Sequence, residues 1–144
     1  MIIQIVAAFF ATLCFSIMFQ VNRKELIFCG LIGAAGWAMN LFSLYQTHSA
    51  ITASLLAALV VSILSNFLAV KRKNPVTTYQ ISGIIPLVPG AGMYRSAFYF
   101  IEDDMDLFTK YLTETLFIAG SIALAMLSVY SFIMIIKQIK LKNT

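Results

Sequence analysis

Charge is scarce in this sequence, and so are the residues that most chemistry needs. Of 144 residues, ten are Lys or Arg and six are Asp or Glu, with one His, one Trp, two Cys and three Pro. No stretch outside the apolar blocks exceeds about ten residues, too short for a soluble domain to close a core. A water-soluble enzyme, a DNA-binding domain and a disordered tail are therefore excluded. A lone His48 in a short loop offers no metal-ligand set. The phosphate-binding loop, the GxGxxG turn and the Ser/His/Asp arrangement are all missing, so no cofactor and no enzymatic activity are expected. Any driving force must come from an ion gradient or from ATP hydrolysis on another chain. Cys14 and Cys29 lie inside apolar runs without a CxxC pattern, and read as buried, inert thiols.

What is abundant is apolar surface. Sixty per cent of the chain is hydrophobic and the mean hydropathy is +0.89. A helical crossing of a bilayer uses about 20 apolar residues, so the chain has material for four or five crossings. The expected architecture is an all-α polytopic membrane protein, one transmembrane domain over residues 1–144. Its spans are predicted near 2–21, 26–45, 51–70, 76–101 and 114–136. Basic residues follow the first apolar run rather than precede it, which marks a retained span and not a signal peptide.

The charges orient these spans. With five crossings and the N-terminus outside, Arg23, Lys24, Lys71, Arg72, Lys73, Lys137, Lys140 and Lys142 share the cytoplasmic side, eight of the ten basic residues. Glu102, Asp103, Asp104, Asp106 and Glu114 fall at the outer face. This satisfies the positive-inside rule and places a multi-pass protein in the cell membrane with a cytoplasmic C-terminus.

The fourth span departs from an ordinary helix. Residues 84–95 read Ile-Ile-Pro-Leu-Val-Pro-Gly-Ala-Gly-Met-Tyr-Arg. In a continuous helix Pro86 would free the carbonyl of Ser82, and Pro89 that of Ile85, because proline has no N–H to donate. Unpaired polar groups in hydrocarbon cost several kcal/mol each, so such a break persists only where protein or water covers it. The helix is expected to be broken at Pro86-Pro89-Gly90, near mid-bilayer. Its restart would aim free N–H groups at a substrate carboxylate, and Gly90 and Gly92 would let a ligand approach the backbone. Arg95 is the basic residue well inside a span, where charge usually faces a partner or a water-filled cavity. Tyr94 adds a hydroxyl and an aromatic face; Phe98, Tyr99 and Phe100 fit an interfacial belt. A proline kink that only shapes a helix interface is the bland alternative.

The order of basic cluster, Asn74-Pro75, Thr77-Thr78-Tyr79, Gly83-Ile-Ile-Pro-Leu-Val-Pro-Gly90 and Tyr94 resembles the threonine/serine exporter family. Within it, the chain looks like the small YjjB-like subunit, similar to the C-terminal membrane half of single-chain exporters. The resemblance implies export of threonine and serine, or in some members of dicarboxylates such as succinate, and a larger membrane subunit supplying the other half. Pro86, Pro89, Gly90 and Tyr94 stand at the matching motif positions. A partner also follows from the chain itself: one broken helix is present and no internal repeat, while transporters often pair two. The second broken helix comes from a different chain or from a second copy.

Small and polar stripes mark faces for packing or for a path. They are Gly30, Gly33, Ala34, Trp37 and Asn40 in the second span; Ser54, Ala58, Ser62, Ser65 and Asn66 in the third; Glu114, Ser121, Ala125 and Ser128 in the last. Small residues permit close helix approach, and buried amides need partners, which makes Asn40 and Asn66 candidate path residues. Glu114 is a candidate proton-coupling carboxylate, or a partner for Lys110 one turn earlier. The expected function is that of a membrane subunit of a two-component exporter, its substrate held at the broken helix. The alternative from another class is a non-transporting scaffold or assembly subunit.

Overall fold

Apolar runs with few breakers can satisfy their backbone only as helices once water is excluded. The computed structural model describes residues 1–142, without the side chains of residues 137 and 140–142, and among them finds helices alone. These are α1 (Ile2–Met18), α2 (Leu26–Thr47), α3 (Ala50–Arg72), α4 (Val76–Ile84), a 3-10 turn (Ile85–Leu87), α5 (Gly90–Ile101) and α6 (Met105–Lys142). Three of them contain stretches long and apolar enough to cross a membrane: Leu26–Thr47, Ala50–Arg72 and Met105–Ile136. α1 is apolar but spans 17 residues, about 25 Å at 1.5 Å per residue. It ends at Met18, short of the expected Val21. The last helix begins at Met105, ahead of the span predicted over 114–136.

The turns follow one pattern. Gln20, His48, Lys73 and Asp103 adopt positive φ between 51° and 62°, stopping α1, α2, α3 and α5 without a glycine. At three of these stops the amide beyond reaches back five residues: Val21 to Ser16, Asn74 to Ala69, and Asp104 to Tyr99, at 3.0–3.1 Å. Such closures satisfy helix-end carbonyls that would otherwise lack donors. The glycines sit inside helices instead, where they admit neighbours. A Cβ at Gly30 would lie 2.7 Å from the Phe9 ring and one at Gly83 2.7 Å from Ile32, while one at Gly33 would strike Thr12 and one at Gly36 would strike Val61.

These contacts define a bundle. α1, α2, α3 and α4 pack together, with the 3-10 turn against α1, α2 and α3. Cys29, Ile32, Ala57, Val61 and Tyr79 form its buried centre. Much of the interior is small and hydroxylated: Thr12, Ser16, Ser54, Ser62, Ser65 and Ser82 are buried. Several hydroxyls are satisfied by the preceding turn, Thr12 donating to the Ala8 carbonyl and Ser16 to that of Thr12. α6 lies on the flank of α3, with Ser121, Ile122, Ala125 and Val129 buried. α5 packs on α6 and, among the described residues, on no other helix. Of the two cysteines, Cys29 is buried as expected, whereas Cys14 is exposed on the outer face of α1.

Candidate functional site

Sequence reasoning puts the site at residues 84–95, and the chain there changes direction. α4 ends at Ile84, and Ile85–Leu87 tighten into a 3-10 turn. Val88 is extended (φ −61°, ψ 128°), Pro89 follows at φ −78°, ψ 56°, and helix resumes at Gly90. The Ile85 carbonyl, which Pro89 cannot serve, takes the Val88 amide at 3.2 Å. The tighter turn thus repairs one of the two gaps that proline opens. Leu87 is buried and its side chain lies over Gly36, the eleventh of the 22 residues of α2. The turn therefore stands halfway along a helix long enough to span a membrane.

At the start of α5 the Gly90 amide bonds the Val88 carbonyl at 2.8 Å and the Met93 amide bonds that of Pro89 at 3.1 Å. Between them, the amides of Ala91 and Gly92 have no carbonyl partner among the described residues. A Cβ at Gly90 would meet nothing within 4 Å, so the backbone there faces open space. Gly92 differs: a Cβ would strike Thr115 of α6, and helix packing alone accounts for that glycine.

The remaining predicted residues scatter around this turn. Pro86 helps line a small cavity of about 250 Å³ with Trp37 of α2 and Gln4 and Ala8 of α1. The Trp37 indole N–H is buried without an acceptor among the described residues. Asn40 is half-buried one turn beyond Trp37. Tyr94 is 70 % exposed and stacks on Phe98, ring centroids 6.4 Å apart. Arg95 is exposed and lies over the Tyr111 ring at 5.5 Å, with no carboxylate beside it among the described residues. Asn66 is not at the turn. Its amide donates to the Ser62 carbonyl at 2.8 Å, and it lines an apolar groove of about 850 Å³ between α3 and α6 with Lys71 and Ser128. Glu114 is exposed on α6, and the expected pairing with Lys110 is not formed; the ion pair among the described residues is Arg72 with Glu25. Lys137, Lys140 and Lys142, counted in the basic cluster, have side chains outside the described residues.

That ion pair belongs to a group the sequence did not single out. Glu25, 6 % exposed, precedes α2 and accepts a hydrogen bond on Oε2 from Arg72 Nε at 2.6 Å and another from the Tyr79 hydroxyl at 2.6 Å. Asn74 donates to the Tyr79 hydroxyl at 3.1 Å. The Arg72 guanidinium also lies 4.3 Å from the Phe28 ring centroid. The hydrogen bond from Arg72 above all holds the Glu25 carboxyl below the usual range, against the opposing pull of burial. The group ties together the start of α2, the end of α3 and the start of α4. The one usable signal was that Glu25 is the sole acid among the first hundred residues.

The comparisons with known proteins now bear on the whole chain. No curated protein and no solved structure matches it. A family model does, over residues 4–132, and its description is Threonine/Serine exporter, ThrE. That family is one of exporters rather than enzymes, and with three helices of spanning length it makes this a membrane protein concerned with transport. The match takes in the bundle, the turn at 85–89 and most of α6, and the chain belongs to the threonine/serine exporter family.

Proposed function

We propose that this chain is the membrane subunit of a two-component exporter of small carboxylate-bearing metabolites, threonine and serine or a dicarboxylate such as succinate. The substrate sits at the turn between α4 and α5, which act together as one broken crossing over residues 76–101. The carrying observation is the pair of unpartnered amides at Ala91 and Gly92, beside the open face of Gly90, at the level of the middle of α2. A helix start of this kind favours negative charge. Pro86, Pro89, Gly90, Gly92 and Tyr94 shape this start, with Arg95 one turn along it. Asn40 and Asn66 line the path, and Glu114 is the candidate proton carrier.

In this reading the chain crosses the cell membrane five times, N-terminus outside and C-terminus in the cytoplasm, as the basic loops demand. Among the described residues α5 rests on α6 alone, which leaves its other face for the larger membrane subunit that completes the carrier. Rocking of the two subunits about the turn exposes the substrate to alternate sides.

The test is efflux of threonine, serine and succinate from cells expressing both subunits, with membrane insertion followed in parallel. Gly90→Leu puts bulk on the open face, where a Cβ itself would meet nothing within 4 Å. The expected result is loss of efflux with insertion and subunit co-purification intact. Loss of co-purification instead would make the turn an assembly device and the chain a scaffold.

A further inference from the structure

Away from the turn, one long apolar groove runs between α3 and α6, about 850 Å³ in volume. On α3 it extends from Leu59 to Lys71, twelve positions apart and so about 18 Å along the axis. The hydrocarbon of one leaflet is about 15 Å deep, so the groove covers the depth of a leaflet and ends at a lysine. It is open to its surroundings along the rim: Ile63, Phe67, Val70, Phe132 and Ile136 are each more than half exposed, while Val129 within it is buried.

The walls carry little that could bind a polar molecule. Asn66 and Ser128 line the groove, but each spends its side chain on its own helix, Asn66 donating to the Ser62 carbonyl and Ser128 to that of Leu124. An occupant therefore meets apolar contact along the groove and one charge at its end. That charge is uncommitted. Arg72 is held by Glu25, whereas Lys71 is exposed and pairs with no carboxylate among the described residues. Lys73, two residues on, is exposed as well. Glu114, the nearest acid along α6, precedes Ser128 by fourteen residues, about 21 Å.

These features choose among occupants. A partner helix packs closely where small residues line the contact, and Ser128 alone is small here. Such a helix would also cover Lys71 with no acid from this chain to answer it. A phospholipid acyl chain needs only apolar surface. Because the bilayer is equally apolar, seating the chain gains packing and nothing more. Selection then falls to the headgroup, and a lysine at the end of a groove between helices favours net negative charge. We propose that this groove binds an anionic phospholipid, one acyl chain lying between α3 and α6 and the headgroup phosphate at Lys71. The site requires that the chain lie in a membrane; it requires neither the substrate nor the second subunit of the exporter reading.

The experiment is a titration of the purified full chain in detergent, with bound lipid counted by native mass spectrometry. The two probes are phosphatidylglycerol and phosphatidylcholine carrying the same acyl chains. Phosphatidylglycerol should bind saturably and about fivefold more tightly, the worth of one lysine beside an anionic headgroup. Lys71→Gln should remove that advantage and bring the two lipids level. Lys24→Gln, at an exposed position outside the groove, should change nothing. Ile63→Trp, which fills the groove from its rim, should abolish saturable binding, whereas Leu124→Trp, exposed but outside the groove, should preserve it. Lys71→Gln alters an exposed side chain only, which guards against misfolding of the bulkier variant. The proposal is overturned if phosphatidylcholine binds as tightly as phosphatidylglycerol to the unmodified chain. It is overturned equally if Lys24→Gln weakens binding as much as Lys71→Gln, since the attraction would then belong to the basic surface at large. Undiminished binding in Ile63→Trp would take the acyl chain out of the groove and end the proposal too. None of these outcomes touches efflux, so the exporter reading stands or falls by its own test.

Discussion

Arg72 Nε and Glu25 Oε2 lie 2.6 Å apart, joining residues 47 positions distant in the chain at one end of the bundle. A buried carboxylate that loses its cation keeps the desolvation cost and forfeits the attraction. Glu25→Gln and Arg72→Gln should each lower the unfolding temperature of the chain in detergent. The double variant should lose less than the sum, because the second change removes a charge the first had stranded. Strict additivity would show that the pair is not energetically coupled.

The same carboxylate sets an acid limit. Its pKa lies below the ordinary glutamate value of 4.5 when folded, held there first by the Arg72 hydrogen bond. A group with a depressed folded pKa contributes stability that is fully present above its unfolded value and lost as pH falls through the folded one. Unfolding temperature should therefore drop as pH is lowered from about 4.5. The part of that drop due to Glu25 should vanish in Glu25→Gln. A variant whose acid profile superimposes on that of the unmodified chain would remove Glu25 from the account.

Two glycines in helices make opposite predictions. A Cβ at Gly36 would strike Val61 in the buried centre, whereas one at Gly120 meets nothing within 4 Å. Gly36→Ala should destabilise by about 1–3 kcal/mol through overpacking. Gly120→Ala should stabilise by up to about 1 kcal/mol, since glycine is the poorer helix former. SDS or thermal unfolding of the two variants side by side checks both signs.

The contrast between these glycines shows how far the sequence can be read. Hydropathy and basic clusters mark the apolar runs, because chain in hydrocarbon has few ways to satisfy its backbone. Gly30 and Gly33 are packing positions, as expected of small residues on one helix face, and Ser54, Ala58, Ser62 and Ser65 likewise turn inward. Pro86 and Pro89 mark the turn because their missing N–H is a local fact. Glu25 was illegible for the opposite reason: its partners, Arg72 and Tyr79, are brought to the start of α2 by two other helices, α3 and α4. The positions of Asn66 and Arg95 were lost in the same way. Helical spacing says that Asn66 shares a face with Ser62, but not that the face opens on α6. Nor does it say that α5 leaves the bundle and takes Arg95 to Tyr111.

That departure rests on one close approach. Gly92 backs onto Thr115, whose hydroxyl donates to the Tyr111 carbonyl within α6. Around it the two helices stack aromatics: Tyr99 on Tyr111 at 5.4 Å and Phe100 by Phe108 at 5.2 Å. A methyl at position 92 would wedge the helices apart and strip those contacts, at about 1–3 kcal/mol. Gly92→Ala should therefore lower stability and, by displacing α5, reduce efflux. Thr115→Ala removes the atom that is struck, so adding it to Gly92→Ala should restore both properties together. If stability returns and efflux does not, Gly92 serves the ligand directly rather than the packing of α5 on α6. Measuring unfolding and efflux on the same pair of variants separates the two roles, because only the packing role can be rescued from the far side of the contact.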